Sequence, residues 1–291
     1  MDFLNARARE NQWGFVDFNR PMVAINQWEQ AADSMYTLCG KDRIHPSTDG
    51  HLVMAYLFLK AQGLAGKPVA DIRIDGAGKK VTRSDNCRVS DLSVSSDNLT
   101  FTYEAKSLPY PIDTSYYDNE KHTQADALSV IPFMDEMNYE GLSVSGLSDG
   151  YYGLTIGGEF IGRFTARELE RGINMALLQN TPQYKQAMKI RQMNEERWLK
   201  ERKMREFYWV EYNLMRKTGM LWACDEAAVD TLRKYRPHDI FLQWNGDLWL
   251  QYMHKGIRED CVNEQQNLVD RIYEQNKPIP LRIEIKKFTD L

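Results

Sequence analysis

The sequence predicts a mixed α/β chain in three parts. These are an α/β segment over residues 1–65, a β-rich meander or sandwich over 66–164, and a helical region with a final short strand over 165–291. Apolar residues recur at helical spacing in the first sixty positions, at every second position through the middle, and at helical spacing again after Thr165. A chain of 291 residues has room for about two domains and a real hydrophobic core.

Residues 2–12 read as a helix end with Phe3, Leu4 and Ala8 on one side, and Phe15-Val16-Asp17-Phe18 as a short strand. Pro21 suits a first helical turn, where its missing N–H has no partner to lose, and Met22, Ile25 and Trp28 continue at helical spacing. After a loop over about 33–46, Ser47 or Thr48 caps a helix through residue 64. Leu52, Met54, Ala55, Leu57, Phe58 and Leu59 make that helix apolar on most sides, which predicts burial; His51 on it reads as a hydrogen-bonded core histidine.

Ile72 and Ile74, Leu99 to Phe101 and Tyr103, Leu142 and Val144, and Leu154 and Ile156 then alternate with polar residues, as half-buried strands do. Residues 108–138, with Pro109, Pro111 and Pro132, are irregular and read as a long functional loop. Thr165-Ala166-Arg167-Glu168 is a capping box, in which hydroxyl and carboxylate each satisfy a free amide. Thr181-Pro182 opens a long helix to about residue 217. Its stretch 195–206 interleaves five basic and four acidic residues, a solvated face laced with i,i+4 pairs. Two more helices are expected over 225–235 and about 246–276, where core packing and helix seams account for the tryptophans, and Leu281, Ile283 and Ile285 mark a last strand.

Charge is nearly balanced, with 37 basic and 41 acidic residues, which argues against a general nucleic-acid binder. The longest apolar run, 52–59, falls far short of the ~20 residues of a membrane span, and the start has no apolar signal segment. Cys39, Cys87, Cys224 and Cys261 show no C-x-x-C spacing; Cys224 and Cys261 read as a disulfide or as separate thiols. His122, His238 and His254 have no carboxylate or thiol at ligand spacing, so no metal or other cofactor is expected.

Two motifs could carry chemistry. Gly146-Leu147-Ser148-Asp149-Gly150 matches the G-x-S-x-G nucleophile elbow, but period-two segments flank it, so Ser148 is expected in a hairpin turn without a catalytic role. The second is Asp42-Arg43-Ile44-His45-Pro46. An aspartate three residues before a histidine can fold back onto the ring within one turn, holding one tautomer while the far nitrogen moves a proton. With 22 aspartates and five histidines, about 0.4 such pairs arise by chance. In the Pro-flanked loop, Tyr110, Tyr116 and Tyr117 are candidates for lining a substrate cleft.

Asp42-x-x-His45-Pro46, continued by 48–59, resembles the last conserved block of the SGNH (GDSL) hydrolases, and 150–182 is similar to the C-terminal extension of a bacterial subgroup. The resemblance implies that 1–65 is the C-terminal part of a three-layer α/β/α domain. Asp42 would be the orienting acid and His45 the general base of a serine esterase acting on an acyl or acetyl ester, including an acetylated glycan. The family's serine lies in an upstream Gly-Asp-Ser, which is absent here, as is the Gly-x-Asn-Asp of the oxyanion hole. Read so, the chain is a C-terminal part, inactive alone, to be completed by an N-terminal segment or through a homo-oligomer, and by family habit periplasmic or secreted. The competing reading is a non-catalytic binding or scaffold module for a carbohydrate or protein partner.

Overall fold

Alternating apolar positions build two sheets that share one core. The computed structural model describes residues 2–115 and 122–288. One sheet has the order β2-β1-β5-β8, from β1 (Ala70–Asp75), β2 (Lys80–Asp85), β5 (Glu140–Ser145) and β8 (Ile173–Asn174). The other has the order β3-β4-β9-β6-β7, from β3 (Cys87–Val94), β4 (Asn98–Ala105), β6 (Tyr151–Ile156), β7 (Glu159–Thr165) and β9 (Leu281–Lys287). Only the β1–β5 pairing among these is parallel. Ile72, Ile74, Leu142 and Val144 of the first sheet meet Phe101, Leu154, Ile156, Ile283 and Ile285 of the second in a single buried cluster. Each such side chain contributes about 1.5–3 kcal/mol by leaving water.

The chain divides into two compact units, Met1–Ala187 with Pro278–Leu291, and Met188–Lys277. This differs from the three-part division above because β9 inserts between β4 and β6, carrying the C-terminal segment back into the first unit. Nor is the β region a simple meander. The 146–150 connection joins β5 to β6 in a different sheet, so Ser148 is not in a hairpin.

In the first unit, α1 (Asp2–Glu10), α2 (Asn19–Glu29) and α3 (Thr48–Ala61) form as their spacing predicts. Phe15–Phe18 does not become a strand: no strand lies beside it among the described residues, and extended chain without a ladder partner gains nothing from being extended. Burial of α3 is one-sided, with Leu52, Val53 and Tyr56 packed against Leu38, Ile112 and Phe133, whereas Phe58 and His51 are exposed. Two short helices, α4 (Phe133–Glu136) and α5 (Ala166–Arg171), complete the unit, the latter started by the Thr165–Glu168 capping box.

Where the two sheets and the start of α6 (Pro182–Val210) meet, Glu140 is fully buried with no cation beside it among the described residues. Tyr103 OH donates to its carboxyl at 2.8 Å and Gln183 Nε2 lies 3.3 and 3.4 Å from its two oxygens, while its backbone N–H donates to Asn174 Oδ1. Burial, only partly offset by those bonds, pushes the carboxyl up to about 7. Between the ordinary glutamate range and pH 7 the unfolded chain loses this proton while the native chain keeps it, so stability falls as pH rises through that window. The loss amounts to about 3 kcal/mol, fully developed above pH 7. Urea unfolding of Glu140→Gln should therefore show a flatter stability profile between pH 5 and 8 than the parent chain.

The second unit takes α6 from residue 188, a π-turn at Glu211–Met215, α7 (Glu226–Tyr235), α8 (Ile240–Tyr252) and α9 (Lys255–Gln275). The single helix expected over 246–276 is two helices. Arg258 Nη1 takes the carbonyls of Tyr252 and Met253, closing α8 just as α9 begins. Pairs Arg191–Glu195, Arg202–Glu206 and Arg205–Glu201 run along the exposed face of α6 at 2.7–2.9 Å. Of the tryptophans only Trp249 is fully buried; Trp198, Trp222 and Trp244 are exposed. Glu211, 1% exposed, accepts from Trp249 Nε1 and from the backbone amide of Trp222, both at 2.8 Å. Glu211→Ala leaves both donors without an acceptor and should cost this unit about 2–4 kcal/mol, read as an earlier tryptophan-fluorescence transition in urea.

All four cysteines are free thiols; Cys261 is buried with its Sγ donating to Lys200 O, and Cys224 is exposed. Among the described residues, no helix is long and apolar enough to cross a membrane, and no group of three or more His, Cys, Asp or Glu could hold a metal ion.

Candidate active site

Asp42 and His45 sit in a tight excursion of the chain closed by an isolated antiparallel bridge between Cys39 and Pro46. Gly40 N–H donates to His45 O at 2.7 Å, Arg43 N–H to Gly40 O at 2.9 Å, and Arg43 takes a left-handed φ of 57° to complete the turn. The Asp42 side chain organises this loop. Its Oδ1 accepts the amides of Ile44 (2.9 Å) and His45 (3.0 Å), an Asx turn, and its Oδ2 lies 2.5 Å from His45 Nδ1.

With both oxygens engaged, the Asp42 carboxyl falls to about 2, first through the His45 bond and then through the two amides. The His45 side chain is 82% exposed and that of Asp42 48%, so the far ring nitrogen opens on solvent. An imidazole fixed by a carboxylate at Nδ1 and open at Nε2 can take a proton from an attacking hydroxyl and return it to a leaving alcohol.

The loop is anchored below. Ser47 N–H donates to Leu38 O at 3.0 Å, and the Ser47 hydroxyl contacts the same carbonyl and the Asp49 carboxylate. Asp49, 1% exposed, also accepts its neighbour's amide from Gly50 at 2.8 Å, and its Oδ2 is 3.7 Å from His122 Nδ1. The His122 ring stands edge-on to Tyr36 at 6.0 Å. Burial, then the charge of Asp49, pushes the Tyr36 hydroxyl up to about 12. Sequence reading missed this second carboxylate–imidazole pair because Asp49 reads as an ordinary helix-start acid and His122 belongs to a remote segment.

Tyr110 makes its contacts with Gln124, Phe133 and Asn138. Its hydroxyl accepts from Gln124 at 2.7 Å, its ring packs edge-on against Phe133, and its backbone pairs with the Asn138 amide. Tyr116 and Tyr117 lie outside the described residues.

Residues 188–277, which coincide with the second unit, match the family model of the diltiazem deacetylase C-terminal helical domain. The whole chain is similar to the solved structure of BT4096, a gut microbial diltiazem-metabolizing enzyme, at 42% identity and a TM-score of 0.92 over 99% of its residues. It spans 65% of the length of that protein. No curated protein matches the chain. These likenesses overturn the SGNH resemblance, and with it both the inactive C-terminal esterase part and the non-catalytic module derived from one. The resemblance rested on a D-x-x-H-P loop, the helix after it and a likeness over 150–182; a loop motif so short recurs by chance, and Phe15–Phe18, expected as a strand before it, does not form one.

Proposed function

We propose that the chain serves the hydrolytic removal of an acetyl group from an ester, with His45 as general base and Asp42 as the carboxylate that orients it. The observation that carries this reading is the 2.5 Å His45–Asp42 contact beneath an open imidazole. It is supported by the likeness to one protein named for diltiazem metabolism and to a domain named for diltiazem deacetylation. His45 Nε2 takes a proton from a water molecule as its oxygen adds to the acetyl carbonyl. The imidazolium so formed is stabilised by Asp42 and gives its proton to the departing alcohol, and acetate is released. An acetylated drug or glycan alcohol meets the chemical requirement equally; diltiazem is the probe that the likeness recommends.

The test is release of acetate from diltiazem, followed by chromatography and mass spectrometry, for the chain and for His45→Ala. The chain should turn over and the variant should lose at least about 100-fold. Equal turnover by both, or none by the parent chain, would sink the assignment.

A further inference from the structure

The G-x-S-x-G sequence around Ser148 acquires partners that no linear reading supplies. Tyr152 on β6 and Lys287 at the end of β9 are directly opposed in the antiparallel ladder, so their side chains leave the sheet on the same face. The 146–150 connection crosses that face. Lys287 Nζ donates to Ser148 Oγ at 2.7 Å, Ser148 Oγ lies 3.1 Å from Tyr152 OH, and Tyr152 OH donates to Ser148 O at 2.9 Å. Gly150, at φ 140°, leaves the lysine stem its path: a Cβ there would stand 3.0 Å from Lys287 Cε. The buried tyrosine and the strand-borne lysine thus hold an exposed serine hydroxyl in one place.

We propose that Ser148 is an acyl-accepting nucleophile with Lys287 as its base, a site separate from Asp42 and His45. The arrangement is the Ser–Lys variant of the nucleophile–base pair. Ser148 Oγ adds to the carbonyl carbon of an acyl ester while its proton passes to the neutral amine of Lys287. The tetrahedral oxyanion then collapses, the C–O bond to the alcohol breaks, and the Lys287 ammonium protonates the departing oxygen. Water hydrolyses the Ser148 ester, releasing the carboxylic acid and restoring the hydroxyl. Tyr152 fixes the turn and accepts a hydrogen bond from the serine between cycles. Because the hydroxyl lies open on a turn, the matching donor class is a small activated ester such as an aryl acetate.

The experiment uses the whole chain carrying His45→Ala, so that its outcome is independent of the function proposed above. After brief exposure to p-nitrophenyl acetate and acid quenching, peptide mass spectrometry should locate an acetyl group on Ser148. Ser148→Ala should abolish that adduct. Lys287→Met should slow its formation at least about 100-fold. Lys287→Arg, which keeps a long hydrogen-bond donor beside Ser148 but cannot act as a base, should slow it as much. Acetylation of Lys287 instead of Ser148, no adduct at all, or Ser148 labelling at an undiminished rate in Lys287→Arg overturns the proposal.

Discussion

Asp42→Asn is expected to lower deacetylation turnover by about 10³- to 10⁴-fold with little change in KM. The size of the effect follows from how the carboxylate is shared. Oδ1 already accepts two backbone amides, from Ile44 and His45, and only an oxygen can stay there. An asparagine must therefore put its carbonyl oxygen at that position and turn its NH₂ toward His45 Nδ1. The ring nitrogen beside it becomes an acceptor, the proton moves to Nε2, and the base loses the lone pair with which it works. Asp42→Ala should be no more active than Asp42→Asn, since both fail to hold the required tautomer.

The two variants separate structurally. Asparagine preserves the Asx turn and the loop, whereas alanine releases it, and ¹⁵N shifts of the His45 ring report the inverted tautomer only in the former. In the parent chain Asp42 stays ionised down to about pH 2, so an acid limb of activity at higher pH belongs to another group. The pair's contribution to stability is likewise present above the ordinary carboxylate range and lost as pH falls toward 2. Unaltered turnover in Asp42→Asn would remove this carboxylate from the mechanism.

Why the Asp42–His45 contact could be read from sequence while other contacts could not is a matter of distance along the chain. Three residues and one turn bring that pair together. The alternation of Ile72 with Ile74, or Leu154 with Ile156, is equally local, and those segments are strands. A strand's neighbours are another matter. β9 slides between β4 and β6, pairing Ile283 with Phe101 on one side and Ile156 on the other, and nothing in its own seven residues says so. Phe15–Phe18 makes the converse point: it has strand-like residues but no partner, and is not a strand. The Asp49–His122 and Ser148–Lys287 contacts belong to the same class, each closed by a residue from a distant segment. Helix α3 shows a subtler limit: apolar residues on most of its faces predicted full burial, yet its neighbours cover one side only.

Gly50→Ala should destabilise the first unit by about 3 kcal/mol or more and reduce activity with it, although a helical position ordinarily favours alanine by about 1 kcal/mol. A Cβ built on Gly50 would lie 2.0 Å from Leu38 O and 3.3 Å from Pro46 Cβ. The first contact is with a backbone atom, and the Leu38 carbonyl cannot turn aside without loosening the bonds it accepts from Ser47 N–H and Oγ. The first turn of α3 and the segment entering the Asp42–His45 loop must therefore separate, and the loop loses the anchor that fixes its carboxylate and imidazole. Gly78→Ala is the matched control. There the added methyl would meet the Asp75 carboxylate at 2.3 Å, but that side chain is free to swing into solvent at the expense of one surface hydrogen bond. Its cost should stay below about 1 kcal/mol with activity unchanged. Thermal unfolding of the two variants, with acetate release measured beside it, distinguishes a steric lock beneath the site from a general intolerance of lost glycine. Comparable melting shifts for both would show that the Gly50 contact relaxes and does not hold the loop.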